Sequence, residues 1–426
     1  MNTKQLAAIT SHRLRWCAVI CLVFALAGGA ALAKNKNKKK GGKKHRPDKE
    51  CQVSVTETQY TQINLVSDLP GAVIQDTNLV NAWGVSFTAT GPFWVSSTER
   101  GLALVYAVTN DASGLVHVAK LPLEVVIPGE GSVTGQIFNN TGAFNSNAFL
   151  FVSEDGTISG WRPELGTGAE VLSTRSGAVY KGVTLIDTTN GPALLAANFA
   201  EGTLDLYGSG GTLDVQYTEP NLPAGYAPFN VQQAGGQIFV TFAKQDAEKE
   251  DDVPGAGNGM VDIFVPDSGT FVRFATGTDA GGERSELNSP WGVTLTPAGF
   301  GDHGDQLLIG NFGSGMIAAF EADGSFQGLL KGTTGGPVTI DGLWALTFGN
   351  DGRAGTSDTL FFSAGPFGET HGLFGSLHPV VKTSTRNCPG GKDGDDDDDD
   401  DDDDNDDQGE NHDGHHGDSP GKNRRK

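Results

Sequence analysis

The sequence predicts an all-β protein, a six-bladed β-propeller built from four-stranded antiparallel blades. A phrase that joins a small residue to an apolar β-run recurs six times, for example N-A-W-G-V-S-F from Asn81 and S-P-W-G-V-T-L from Ser289. Repeat units of about 50 residues are typical of propellers and related folds. No long stretch has the i, i+3, i+4, i+7 apolar spacing of an amphipathic helix. The six phrases are anchored at Gly84, Gly135, Gly182, Asn230, Gly292 and Ala345.

A second repeated phrase supplies the strand count of each blade. It consists of two β-runs joined by a turn with glycine, as in L-L-A-A-N-F-A-E-G-T-L-D-L-Y from Leu194. Such a pattern predicts a hairpin. One further β-run precedes the hairpin and one follows it, which gives the four antiparallel strands of a propeller blade. A solenoid is the alternative, but it requires neither closure nor four runs per repeat.

The last repeat indicates how the ring closes. It contains three β-runs (343–348, 359–363 and 372–377), whereas an isolated run, residues 60–67, precedes the first repeat. We expect residues 60–67 to form the outer strand of the last blade, which leaves no open sheet edge. The predicted propeller then covers residues 55–385.

The first 33 residues have the composition of a signal peptide. Positive residues come first, a mostly apolar run covers residues 16–27, and a small-x-small cleavage pattern ends at Ala33. This run is shorter than the roughly 20 residues of a membrane span. We therefore expect a secreted or periplasmic protein without a membrane span after cleavage. The nine Lys and Arg of residues 34–50 resist translocation, so an uncleaved N-terminal anchor is the alternative.

Two low-complexity tails of opposite charge flank the predicted propeller. Residues 34–54 are basic, and residues 386–426 include ten consecutive aspartates from Asp395 to Asp404. Like charges at this density stay solvated, so we expect both tails to be disordered and to pair with each other. Between the tails, residues 51–387 carry 13 of the 30 Lys and Arg against 34 of the 52 Asp and Glu. This acidity argues against a nucleic-acid partner.

Removal of the signal peptide leaves two cysteines, Cys51 and Cys388, at the two ends of the predicted propeller. An even pair in an oxidising compartment predicts a disulfide bond. Ring closure supports the bond because it brings the two chain ends together. Two unpaired thiols in disordered tails are the alternative.

Several phrases resemble those of known propellers. The segments Y-T-Q-I-N-L-V-S-D from Tyr60 and N-A-W-G-V from Asn81 are the most specific, together with the A-K-Q-D-A-E-K-E-D-D-V segment from Ala243. The stretch from Tyr60 to His378 resembles an uncharacterised family of exported bacterial six-bladed propellers and, more distantly, NHL-type propellers. The resemblance implies the fold and export, and it supplies no catalytic residues.

Candidate ligand-binding residues follow from propeller geometry. The turns that lead into the inner strands and the turns between the second and third strands open on one face, which we call the top face. These positions surround the channel and define a single candidate site. Asparagine often shapes turns, acidic residues before glycine are usually solvated tips, and the W-G-V tryptophans are expected to pack between blades. The candidates are Asn81, Lys181, Asn230, Asn288, Asn311, Asp341, Lys244 and Asp246.

The fourth repeat contains an acidic insertion. Five of the seven residues from Asp246 to Asp252 are Asp or Glu, and long loops on rigid scaffolds often carry function. Carboxylates could supply the oxygen ligands of Ca²⁺, although the alternating pattern of a calcium loop is missing. A flexible acidic lid is the simpler interpretation. The metal candidates are Asp341, Glu248, Asp251 and Asp252.

Three functions remain open from the sequence. A monomeric scaffold that binds a protein or small molecule on its top face is favoured. A metal-dependent hydrolase that resembles lactonase propellers, with one divalent ion in the channel, is the second. Adhesion or cation binding through the charged tails is the third. The chain contains no G-x-S-x-G elbow, H-E-x-x-H motif or phosphate loop.

Overall fold

The computed structural model describes residues 52–111, 114–277 and 287–387. These residues form six antiparallel sheets whose inner strands follow one another around a central channel, so the predicted six-bladed propeller is confirmed. Within the described ranges, four short 3₁₀ helices lie between strands: Thr98–Arg100, Phe144–Ser146, Pro163–Leu165 and Gly301–His303. Among the described residues, no helix has the length and hydropathy needed to cross a membrane.

The strands follow the predicted order. The chain begins with β1 (Gln52–Ser67) and β2 (Ile74–Gln75). Blade 1 contains β3 (Ala82–Ser86), β4 (Phe93–Ser97), β5 (Leu102–Asn110) and β6 (Val116–Val126). Blade 2 contains β7 (Val133–Phe138), β8 (Phe149–Ser153), β9 (Thr157–Trp161) and β10 (Glu170–Thr174). Blade 3 contains β11 (Tyr180–Thr188), β12 (Gly191–Asn198), β13 (Thr203–Tyr207) and β14 (Leu213–Tyr217).

The second half of the ring repeats this plan. Blade 4 contains β15 (Tyr226–Ala234), β16 (Gln237–Lys244), β17 (Gly259–Val265) and β18 (Thr270–Thr276). Blade 5 contains β19 (Pro290–Leu295), β20 (Leu307–Asn311), β21 (Ile317–Phe320) and β22 (Phe326–Leu329). Blade 6 contains β23 (Leu343–Phe348), β24 (Leu360–Ala364) and β25 (Leu373–Asn387), and β1 completes it.

The repeat anchors lie where the inner strands of neighbouring blades approach most closely. A Cβ atom on Gly84 would lie 2.5 Å from the carbonyl oxygen of Thr134. A Cβ atom on Gly135 would lie 2.9 Å from Cα of Gly182, and one on Gly182 would lie 2.8 Å from Cα of Asn230. Each glycine thus touches the anchor region of the next blade. The repeated phrase is therefore a steric requirement of a narrow ring.

Closure occurs through the N-terminal strand, as predicted, but that strand is longer than expected. β1 pairs with β25 from Gln52 opposite Asn387 to Ser67 opposite Leu373. The expected start at residue 60 is wrong because residues 52–59 are mostly polar and lack the apolar alternation of a buried strand. They lie beyond the part of β25 that pairs with β24.

Contacts to blade 5 hold β1 in place. The backbone N–H of Thr58 donates to Oδ2 of Asp302 at 2.7 Å, and the Asp302 N–H donates to Oγ1 of Thr58 at 3.0 Å. The buried Tyr60 hydroxyl donates to the carbonyl oxygen of Phe300 at 3.1 Å. Leu65 and Val66 enter the apolar core between blades 6 and 1. The closing strand therefore joins three consecutive blades.

Candidate functional site

An aromatic floor closes the channel near the start of the inner strands. The Trp83 and Trp344 rings stack with centroids 3.5 Å apart, and Trp291 packs edge-on against both. These tryptophans pack between neighbouring blades, as expected, because the consecutive blades 5, 6 and 1 each supply one. They precede the close-packed anchor positions and, with Phe229 of blade 4, form one cluster in the channel. The floor consists of Trp83, Phe199, Phe229, Trp291, Phe312 and Trp344.

The ammonium group of Lys181 is buried above this floor. Its side chain is 2% exposed, and Nζ donates to Oε1 of Glu154 and, at 3.3 Å, to Oδ1 of Asp251. Nζ also lies 5.3 Å from the centroid of Trp83, a cation–π distance. Burial alone would lower the pKa of Lys181, but the two carboxylates outweigh burial and raise the pKa. Lys181 is therefore charged and fully engaged.

Another carboxyl group of the top face, that of Glu369, is balanced less well, since Lys181 acts on it only from a distance. Oε2 of Glu369 accepts a hydrogen bond of 2.7 Å from Nδ2 of Asn81, whose Oδ1 accepts one from Nε1 of Trp344 at 3.0 Å. Burial raises the pKa of Glu369 to about 7, against the opposing effect of the Asn81 hydrogen bond. Among the described residues, no Lys, Arg or His contacts this carboxylate. Glu369 therefore titrates near neutral pH.

The insertion of the fourth repeat, residues 246–257, forms a lid over the top face. Asp251 reaches Lys181 of blade 3, as described above, and the Gly255 N–H donates to Oδ1 of Asn288 at 2.6 Å. The Gly257 N–H donates to the carbonyl oxygen of Leu287 at 2.9 Å. The lid is thus attached to blades on both sides of blade 4. Its predicted flexibility stays a prediction.

One lid carboxyl group points inward. Burial raises the pKa of Asp252 to about 6, and its Oδ2 atom has no hydrogen-bond partner among the described residues. Nε1 of Trp83, in the floor, is also buried without a partner in the described part of the chain. We call Glu154, Lys181, Asp251, Asp252 and Glu369 the ionisable cluster. It combines four carboxyl groups with a single ammonium group.

Backbone strain is concentrated on the same face. Asn81, Ser289 and Glu369 have left-handed backbone conformations, with φ of 49°, 49° and 65°. Asparagine tolerates this region, whereas serine and glutamate adopt it rarely. Strain of about 1–3 kcal/mol per residue often accompanies functional sites. Strain and shifted pKa values therefore coincide on the top face.

The structure distributes the other sequence candidates among turns. Oδ1 of Asn311 accepts the Asn288 N–H at 2.9 Å, and Oδ1 of Asp246 accepts the Glu250 N–H at 3.0 Å. Oδ2 of Asp341 accepts the Phe367 N–H at 2.8 Å. These bonds match the interpretation that many such residues shape turns. Lys244 is exposed.

Asn230 lies below the floor. Its Nδ2 donates to the Trp291 carbonyl oxygen at 2.8 Å, and its Oδ1 accepts the Val231 N–H at 2.8 Å. It is buried at the upper end of a cavity in the channel. Asn230 is therefore separate from the ionisable cluster.

The metal candidates do not form a recognisable site. Within the described ranges, no group of three His, Cys, Asp or Glu side chains is arranged to hold a metal ion. Asp251 and Asp252 belong to the ionisable cluster, whereas Glu248 is exposed and Asp341 holds a turn. The Ca²⁺ site stays a prediction. The disulfide candidates Cys51 and Cys388 lie outside the described residues.

Two functional candidates differ from the sequence expectation. Glu154 and Glu369 lie in turns between second and third strands, which were expected to border the top face, but neither residue was among the chosen candidates. The ammonium of Lys181 holds Glu154, and burial against Asn81 holds Glu369. The sequence shows that an acidic residue occupies such a turn. It does not show that the residue is buried, because the burial of Glu369 depends on Asn81, which is 288 positions away.

Fold and site together define a six-bladed propeller whose channel is closed by an aromatic floor beneath a lidded ionisable cluster. No protein-family model matches the chain. Two uncharacterised proteins of Acanthamoeba polyphaga mimivirus are each 27% identical to it, one over 324 and the other over 325 residues. Each alignment covers 71% of this chain, and 76% and 81% of the respective relatives. Because these relatives are viral, membership of an exported bacterial family stays a prediction.

Solved structures with a similar fold include a streptogramin B lyase, at 14% identity and a TM-score of 0.42. The alignment covers 76% of this chain and 98% of the lyase. A calcium-binding protein, regucalcin, from Agrobacterium tumefaciens also gives 14% identity and a TM-score of 0.42, with coverage of 72% and 92%. Likeness at this level carries no inference about ligand or activity.

Proposed function

We propose that this protein is an exported, non-catalytic binding propeller whose top face captures a ligand with a protonated amine beneath the lid. The observation that carries the proposal is a pair of inward carboxyl groups, Asp252 and Glu369, with pKa values raised by burial to about 6 and about 7. Neither forms an ion pair with a described Lys, Arg or His. A ligand ammonium would supply the missing charge.

The surroundings favour a cation over an anion. The ionisable cluster holds four carboxyl groups against the one ammonium of Lys181, so its net charge is negative once the carboxyls ionise. The floor below it offers tryptophan faces, which attract cations. The acidic chain, with a formal charge of −22, draws cations from a distance. Lys181 over Trp83 shows that an ammonium fits this environment.

Access requires the lid to move, and its link to Lys181 is weak. The Asp251 side chain is 74% exposed, so water can replace its contact with Lys181 at little cost. Glu154 keeps the Lys181 ammonium paired when the lid opens. The lid can therefore separate from blade 3 without leaving a buried charge unpaired.

Calorimetric titration at pH 8 tests the proposal with matched probes. We expect putrescine, agmatine or phenethylamine to bind, and 1,4-butanediol, the uncharged counterpart of putrescine, not to bind. The affinity should fall as the pH falls through about 7, because protonation removes the Glu369 charge. Glu369→Gln should weaken binding about tenfold, while Glu248→Gln in the exposed part of the lid should not. Equal binding of putrescine and butanediol, or no binding by the three amines, would contradict the proposal.

A further inference from the structure

The channel contains a second cavity on the opposite side of the aromatic floor, which we call the lower cavity. Its volume is about 390 Å³, within the roughly 300–1,000 Å³ range of small-molecule sites. The downstream halves of the inner strands of blades 1, 2, 3, 4 and 6 line it. Trp291 and Asn230 form part of its upper end. The floor therefore separates this cavity from the ionisable cluster.

A partial ring of uncharged hydrogen-bonding side chains surrounds the lower cavity. Four blades supply one such side chain each, and in every case it follows the anchor residue of its blade by two positions. Ile137 occupies the equivalent position in blade 2. In the lining as described, Asp187 is the one ionisable side chain, and it is exposed at the rim. The four hydrogen-bonding members are Ser86, Thr184, Gln232 and Thr347.

Two members of this ring keep unused hydrogen-bonding capacity. The Thr184 side chain is buried, and its hydroxyl makes no hydrogen bond with any other described residue. Oε1 of Gln232 accepts long bonds of 3.3 Å from Asn230 and from the Val293 N–H, while its Nε2 donates to no described group. Gln136, by contrast, is saturated by Gly84, Ser86 and Ser96.

Apolar surfaces alternate with these polar groups. The half-buried side chains of Val85, Ile137 and Leu185 belong to the lining, together with the rings of Phe87 and Phe138. A purely apolar ligand would leave the Thr184 hydroxyl and the Gln232 amide unpaired inside the site. A charged ligand would find no opposite charge deep in the cavity. A molecule with hydroxyl edges and C–H faces matches both kinds of surface.

We propose that the lower cavity binds a neutral sugar or polyol of monosaccharide size. The ring hydroxyls and the Gln232 amide hydrogen-bond its hydroxyl groups, and the aliphatic and phenyl side chains cover its C–H faces. The amine site of the top face plays no part, since the aromatic floor lies between the two.

The test is a titration of the full chain with neutral and charged carbohydrates. The neutral panel comprises glucose, galactose, mannose, N-acetylglucosamine and myo-inositol, and the charged panel comprises glucosamine and glucuronate. We expect at least one neutral compound to bind and the charged compounds to bind more weakly. Saturating putrescine should not compete. If no neutral compound binds at concentrations up to about 10 mM, the proposal is wrong.

Variants locate the binding. Thr184→Val removes one hydroxyl at nearly constant volume and should weaken binding about tenfold. Thr294→Val is the matched control, because Thr294 follows the blade 5 anchor by two positions but does not line the cavity. Thermal unfolding of both variants verifies folding, and the change in total tryptophan fluorescence on sugar addition gives a readout that needs no variant. Equal loss of affinity in both variants, or sugar binding that putrescine abolishes, would overturn the assignment.

Discussion

Individual residues of the top face differ in how their buried charge is balanced. Lys181 is almost fully buried and has two carboxylate partners, whereas Glu369 has one amide donor and forms no direct ion pair with a described residue, since Lys181 acts on it only from a distance. Removing one partner of a buried ion pair is expensive because the other charge remains. A buried carboxyl group without an ion-pair partner destabilises the fold only when it loses its proton and becomes charged. Removing a carboxylate partner of Lys181 should therefore destabilise the protein, whereas neutralising Glu369 should stabilise it.

We expect Glu154→Gln to lower the free energy of unfolding by about 1–3 kcal/mol. The amide keeps the size of the side chain but leaves the Lys181 ammonium with Asp251 as its remaining anionic partner, and that carboxylate is mostly exposed. Urea denaturation at pH 7 measures the change. Glu248→Gln, on the exposed lid, is the control and should change nothing. An unchanged midpoint for Glu154→Gln would show that Lys181 does not depend on this pair.

Glu369→Gln should stabilise the protein at alkaline pH. The pKa of Glu369 in the folded protein, about 7, lies above its ordinary value of 4.5, so folding favours the protonated form. The contribution of Glu369 to the free energy of unfolding is then largest below pH 4.5 and declines as the pH rises towards 7. The amide stays neutral and can still accept the Asn81 hydrogen bond. We expect a gain on the order of 3 kcal/mol at pH 8 and almost none near pH 4.5. A pH-independent difference would contradict this explanation.

Among the structural elements, the inner strands are the most clearly encoded. Their repeated glycines are needed because neighbouring backbones leave no room for a Cβ atom. We expect Gly135→Ala to lower the free energy of unfolding by about 1–3 kcal/mol, since the new methyl group would press on the backbone of Gly182. Gly142→Ala, where nothing lies within 4 Å, should be nearly neutral. Thermal unfolding of both variants tests this, and equal stabilities would refute the steric explanation.

The same elements show what sequence alone can and cannot predict. Blade number, strand order and closure follow from a pattern that each blade repeats. The early start of β1 at Gln52 could not be predicted, because a strand of mostly polar residues has no apolar alternation. The contact of Lys181 with Asp251 and the contact of Asn81 with Glu369 join neighbouring blades, but their partners are 70 and 288 positions apart in the sequence. The sequence repeat therefore predicts the position of each residue in its blade, but it does not predict which side chains of different loops contact each other.

At the scale of the whole molecule, the register of the closing strands bears on the chain ends. Gln52 lies opposite Asn387 in the antiparallel pair of β1 and β25. In the sequence, the two cysteines are the residues that directly flank this pair, at positions 51 and 388. Opposed residues in antiparallel strands lie about 4.5–5.5 Å apart, within the span of a disulfide. A disulfide bond between Cys51 and Cys388, which lie outside the described residues, stays a prediction.

We expect the protein, produced in an oxidising compartment and unfolded without reductant, to show no free thiol from Cys51 or Cys388. Reduction should lower its free energy of unfolding by about 2–4 kcal/mol, because the bond closes a loop of more than 300 residues in the unfolded chain. Cys51→Ser should lose the same amount as the Cys51→Ser, Cys388→Ser double variant, and reductant should affect neither. Thiol titration and denaturation in urea with and without reductant provide the measurements. Two reactive thiols in the unreduced protein would show that strand pairing alone closes the ring.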